Sequence, residues 1–165
     1  MPYRYKCSKC EKWHVGFPDI GYASPYYASS IPEAERSKRL FLTGDLCIID
    51  DQDFFIRCIL LLPVQGIPDT FGWGVWSTLS EANFLRYRQH YDEYMGNWPP
   101  MFGYLSNRLP DYPDTLNLHL SVQPQEKGAR PRATLEPSDH PLSLEQKNGI
   151  ALENVLRFVE PHLHK

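Results

Sequence analysis

The clearest change of period in the pattern of apolar and polar positions falls near residue 80. From Phe71 to Leu79 aromatic and β-branched residues run together, broken by Gly72 and Gly74. That is the pattern of a strand that another backbone or a large ring passes closely. After Ser80 the period lengthens: Phe84, Tyr87, Tyr91 and Tyr94 recur every three or four residues, with Arg86, Arg88, Gln89, Asp92 and Glu93 on the other side. The spacing predicts an amphipathic helix over Ser80–Tyr94, capped by the Ser80 hydroxyl and with Glu81 against the positive end of its dipole.

Upstream, Leu46–Ile49, the polar turn Asp50–Asp53 and the apolar run Phe54–Val64 predict a hairpin. Its second strand is apolar on both faces except at Arg57, so it belongs in the middle of a sheet, covered on both sides. Further strands are predicted over Phe102–Asn107, Leu116–Val122 and Ala133–Leu135, the last two as a terminal hairpin around the basic turn Gln125–Arg132, while Tyr3–Lys6 is a short alternating stretch. Helical segments are predicted as a short turn near Pro25–Ser29 and an exposed helix over Pro32–Leu40, acidic first and basic last. Near the end of the chain, Ser143 and Gln146 suggest a capping box, with Asn148-Gly149 as the stop. A final stripe of Leu152, Val155, Leu156 and Val159 ends before Pro161. The fold class is α+β: a mixed or antiparallel sheet, covered by the amphipathic helix and the C-terminal helices.

Composition narrows this picture. A chain of 165 residues with 42% apolar positions suffices for one domain, expected over residues 1–165 as a body (21–165) with a knuckle-like N-terminal appendage (1–20). Fifteen prolines and ten glycines predict many turns and modest helix content. A net charge of −3 argues against a nucleic-acid partner that needs several phosphate contacts. No apolar run reaches the length of a membrane span, and no secretory signal is visible, so a cytoplasmic location and no membrane partner are expected. In that compartment four cysteines read as thiols or metal ligands and not as disulfides.

The candidate chemistry lies at the start. Cys7-Ser8-Lys9-Cys10 is a C-x2-C pair, and His14 follows four residues later. Two thiolates on one knuckle and a nearby imidazole can share a tetrahedral ion, and zinc in a structural role is the expected cofactor. A redox dithiol and a pair of ordinary buried thiols are the alternatives. Cys47 and His140 are the candidates for a fourth ligand. Arg57 is expected to be buried and paired with Asp45, or else to bind a small anionic ligand. Trp73 and Trp76, with neighbouring tyrosines, are candidates for a surface that meets a protein partner. His140, between Asp139 and Pro141, is a candidate ligand-binding or structural histidine, less suited to catalysis because chain neighbours seldom face each other.

These residues sit in motifs that resemble the bacterial domain-of-unknown-function family 2199. The likeness is carried by Cys7, Cys10 and His14; Gly44-Asp45-Leu46-Cys47; Phe54-Phe55-Ile56-Arg57; Trp73-Gly74-Val75-Trp76; Phe102-Gly103-Tyr104-Leu105-Ser106-Asn107; Tyr112-Pro113-Asp114-Thr115; Arg130-Pro131; and Asp139-His140-Pro141-Leu142. The family usually has glycine after the second cysteine, where this chain has Glu11. Because a tight knuckle uses glycine's φ freedom, that departure weighs against metal binding. The resemblance implies no activity. No phosphate loop, nucleophile elbow, H-E-x-x-H or dinucleotide fingerprint is present. The sequence therefore favours a non-enzymatic binding or immunity-type module. The alternatives are a metal-dependent hydrolase built on the Cys/His site and a small-ligand binder at Arg57.

Overall fold

The computed structural model describes residues 2–163. In chain order the elements are β1 (Arg4–Lys6), β2 (Trp13–Val15), β3 (Ile20–Gly21), α1 (Tyr26–Ser29), α2 (Arg36–Arg39), β4 (Leu40–Leu42), β5 (Leu46–Ile49), β6 (Asp53–Pro63) and β7 (Thr70–Leu79). These are followed by α3 (Glu81–Gln89), β8 (Met101–Tyr104), β9 (His119–Gln123), β10 (Arg132–Leu135), α4 (Pro141–Asn148) and α5 (Leu152–Val159). The fold is α+β, as the pattern predicts.

The longest ladder pairs β6 with β7, antiparallel from Phe54 opposite Leu79 to Pro63 opposite Thr70. The turn before β6 is made by Asp50 and Asp51, both at positive φ, with the Gln52 amide donating to the Ile49 carbonyl. Aspartate tolerates that left-handed geometry better than most residues, which is why an acidic pair stands there. On its other edge β6 is shared between β5 (antiparallel) and β10 (parallel), so it is central as its unbroken apolar run requires. The sheet is mixed: β3-β7-β6-β10-β9-β8, with β4 and β5 as a branch. A single antiparallel bridge from Ser77 to Leu105 brings β8 back to β7, and the sheet curls on itself. Gly103 permits that closure, since a Cβ there would lie 2.2 Å from the Thr78 carbonyl oxygen. Gly74 answers the prediction of a passing backbone: its Cβ position lies 3.0 Å from the Cα of Gly21 on β3.

Even-numbered residues of β6 (Phe54, Ile56, Cys58, Leu60, Leu62) face the main core, which also takes Phe84 and Tyr87 of α3, Leu142 of α4, and Val155, Phe158 and Val159 of α5. A smaller cluster on the other face joins Phe55, Trp76, Cys47 and Ile49 to Ala28 and Ile31.

Several predicted boundaries change. The central helix ends at Gln89, not Tyr94, because the chain turns at His90 and Tyr91 leaves to hydrogen-bond Asp45. Ser80 does cap it, accepting from the Asn83 amide at 3.2 Å. Pro32–Leu40 is a 3-10 turn followed by the one-turn α2, and Leu40 already belongs to β4. The capping box at Ser143 and Gln146 does not form: α4 begins at Pro141 and its cap is His140, whose Nδ1 accepts from the Leu142 amide. Ser143 and Gln146 instead bond to carbonyls and amides of the 133–138 segment and to Leu61.

Candidate metal centre

β1 and β2 form a two-stranded antiparallel hairpin in which Tyr5 lies opposite His14 and Lys6 opposite Trp13. Strand alternation places Tyr5, Cys7 and His14 on the inner side, while Arg4, Lys6, Trp13 and Val15 are exposed. The Tyr5 ring carries this face: it stacks on Phe17 with centroids 5.5 Å apart, lies 5.7 Å from the His14 ring and enters the main core.

The loop between the strands is a tight knuckle. The Glu11 amide donates to the Cys7 carbonyl and the Cys7 amide to the Lys12 carbonyl, both at 3.0 Å. Glu11 adopts φ of 58°, the left-handed conformation that glycine would supply, so the departure from the family pattern strains the turn without opening it. The Lys9 amide points at the Cys7 sulfur from 3.4 Å. Hydrogen bonds from the Cys10 and Lys9 amides hold the Cys7 thiol below its ordinary pKa, against burial and the nearby Glu160 charge. A sulfur held toward its thiolate form is the form that binds metal.

The donor atoms of Cys7, Cys10 and His14 all lie within 4.8 Å of one another, with Cys10 Sγ 3.4 Å from His14 Nε2. Donors around a tetrahedral zinc stand about 3.5–3.8 Å apart, from metal–ligand lengths of about 2.0–2.3 Å. The group can therefore hold a metal ion with small adjustments. Cys7 is buried and Cys10 and His14 are half-buried.

The other predicted residues are not brought here. Cys47 is fully buried in the smaller cluster, and burial pushes its thiol up to about 12. His140 caps α4, and its Nε2 lies 3.1 Å from the Pro113 carbonyl, a structural position away from the knuckle. Neither is available as the fourth ligand.

Trp73 and Trp76 are both 0% exposed, which corrects their assignment to a partner surface. Trp73 packs edge-on against Phe71 and Phe158, at 5.1 and 5.0 Å. Trp76 donates its indole N–H to the Tyr22 carbonyl at 2.9 Å. A strand buried on both faces leaves no room for a surface aromatic.

The expected Arg57–Asp45 ion pair does not form among the described residues. Asp45 accepts from the Tyr91 hydroxyl at 2.6 Å and faces Arg130 at 3.6 Å. Arg57 is half-buried; its Nη1 reaches only the Gly44 carbonyl at 3.4 Å, and its Nε is buried without a partner. Burial and then Arg130 lower its pKa, with Asp45 opposing. Asp45 and Arg130 line a cleft of about 530 Å³ with Asp19, Ile59, Tyr91 and Arg132; Arg57 itself does not line it.

Two residues near the knuckle had no signal in the sequence. Ser8, between the two cysteines, donates to both carboxylate oxygens of Glu160, at 3.0 and 3.1 Å across 152 residues of chain. Among the described residues no helix is long and apolar enough to cross a membrane.

The chain matches, over residues 6–150, the family DUF2199, described as an uncharacterized protein conserved in bacteria. The comparisons with curated proteins and with solved structures give no match.

Proposed function

Because the chain belongs to this bacterial family, which brings no activity with it, we propose a function from the site itself: a non-enzymatic, immunity-type binding module whose N-terminal hairpin is stapled by a structural zinc. The observation that carries the metal reading is the convergence of the Cys7, Cys10 and His14 donors within 4.8 Å, two soft sulfurs and one imidazole. Zinc is favoured over other divalent ions because it accepts this mixed set in tetrahedral geometry.

Support for binding over catalysis comes from the surroundings of other reactive groups. His140 caps a helix. His119 faces Glu136 at 3.1 Å on the exposed side of β9. Cys47 and Cys58 are buried thiols pushed up to about 12, far from the ionised form a nucleophile needs. A metal-dependent hydrolase is the second reading, because three protein donors with water in the fourth position would be the arrangement of a catalytic ion.

Elemental analysis of protein purified without added metal tests the proposal, alongside Cys7→Ser and Cys10→Ser. About one zinc per chain, lost in both variants, is the expected result. Metal-free protein whose stability is unchanged in the variants would end it. Turnover of phosphoester, amide or nucleotide substrates that depends on the bound metal would favour the hydrolase.

A further inference from the structure

We infer that Glu160, 150 residues downstream of Cys10, is the fourth ligand of the Cys7–Cys10–His14 site and closes it. The inference rests on the metal reading proposed above. Ser8 lies inside the knuckle, and its hydroxyl holds both oxygens of the Glu160 carboxylate at 3.0 and 3.1 Å. The carboxylate is thereby suspended over the loop that joins the two sulfurs. Glu160 follows α5 directly in a 3-10 turn, with Pro161 next, and α5 is anchored by buried Phe158 and Val159. Its placement is therefore set by core packing and not by a loose tail.

The donor types gathered at this loop suit a cation. Among the described residues no lysine, arginine or histidine forms an ion pair with Glu160, and one serine hydroxyl is its hydrogen-bond donor. Two sulfurs, one imidazole nitrogen and one carboxylate oxygen make a four-donor set of the kind zinc accepts. Glu160 stands outside the group of donors within 4.8 Å of one another, so coordination moves one carboxylate oxygen from Ser8 to the ion while the second oxygen keeps the serine. That serine then orients the ligand as outer-shell partners do. Closure in this way leaves no open position for water and assigns the ion a structural role. It also ties the first turn of the chain to its last helix.

The test uses the full chain with zinc and cobalt(II) as probes. Wild type is expected to bind cobalt(II) with the strong visible absorption of a tetrahedral thiolate site. In Glu160→Gln zinc affinity, measured by chelator competition, should fall at least about 100-fold, the upper end of the loss from an outer-shell partner. The cobalt band should weaken as water enters. Ser8→Ala should lose about tenfold and keep the band. Glu160→His, which offers another donor, should restore tight binding and the tetrahedral band, and this separates a ligand from a packing residue. Unchanged affinity and spectrum in Glu160→Gln would overturn the inference while the three-ligand reading stands. A wild type that takes up neither metal would overturn both.

Discussion

The N-terminal hairpin and the β6–β7 hairpin are both antiparallel ribbons, and they differ in how much apolar surface each buries. β6 and β7 pair over ten residues and bury Trp73, Trp76, Leu60 and Leu62 completely. Burial of large apolar side chains, each worth about 1.5–3 kcal/mol, suffices to hold them. β1 and β2 pair over three residues, with Trp13 61% and Val15 59% exposed, and an isolated two-stranded ribbon of that kind is marginal in water. What the short hairpin has instead is Tyr5 in the core, the Ser8–Glu160 contact and three convergent metal donors. Aromatic residues in the first region and reactive residues in the second therefore answer to different rules. Tryptophans between glycines mark a packed core, while a C-x2-C pair in a poorly buried ribbon is where the proposed ion would supply the order.

The largest expected effect separates the two regions by mutation. Trp73→Ala should cost about 3–5 kcal/mol in chemical denaturation, because it removes a fully buried ring from the main core, and it should leave metal content unchanged. Loss of less than 1 kcal/mol would mean that the ring is not core. Alkaline titration sharpens the same contrast. Burial raises Cys58 from its ordinary value near 9 to about 12, so its neutral thiol stabilises the fold fully below pH 9. As pH rises toward 12 that contribution is lost, at up to about 1.4 kcal/mol per pH unit. Cys58→Ala should show a shallower slope over that window, and equal slopes would refute the assignment.

Zinc addition acts on the other region. At a free concentration of 100 Kd it should add about 2.7 kcal/mol of stability, a rise of about 5–10 °C in Tm. Cys7→Ser should show no rise under the same conditions. A smaller effect belongs to the strained residue of the knuckle. Glu11→Gly relieves a positive φ and should stabilise the metal-bound hairpin by about 1 kcal/mol, read as about fivefold tighter zinc binding. Weaker binding in that variant would show that the turn does not need the left-handed conformation. Smallest is Arg57→Met. It removes a half-buried guanidinium whose Nε has no partner, so stability should stay within about 1 kcal/mol of wild type. A loss of several kcal/mol would instead indicate an acid partner left stranded.

How much of this was legible in the sequence follows from how local each determinant is. The β5–β6 hairpin and β7 follow from long, mostly apolar runs and an acidic turn, and α5 from its four-residue stripe ending before proline. The Cys7, Cys10 and His14 cluster was legible because eight residues of one hairpin contain all three donors. Features decided by distant competition were not. Asp45 belongs to Tyr91 and Arg130, and neither choice is visible from its spacing to Arg57. Trp76 is buried because Ala28, Ile31 and Cys47 cover it from separate segments. β4, with Phe41 and Leu42 exposed, carries no alternation, and the acidic-to-basic run before it resembles a longer helix. His140 as a helix cap went unread because its ring nitrogen replaces the usual hydroxyl or carboxylate oxygen. Ser8 and Glu160 meet across 152 residues, a separation no local pattern spans.

The central claim is that the N-terminal hairpin owes its order to a bound ion and the β6–β7 core does not. Residue-resolved hydrogen exchange of the purified protein, with and without a strong chelator, tests it directly. The account predicts that chelation strips protection from the amides of Cys7, Glu11 and Gly16, which close the knuckle and the hairpin. The amides of β6 and β7 should keep theirs. Protection at Cys7, Glu11 and Gly16 that chelator leaves untouched would contradict the account, and the three donors would then be ordinary residues of a stable turn.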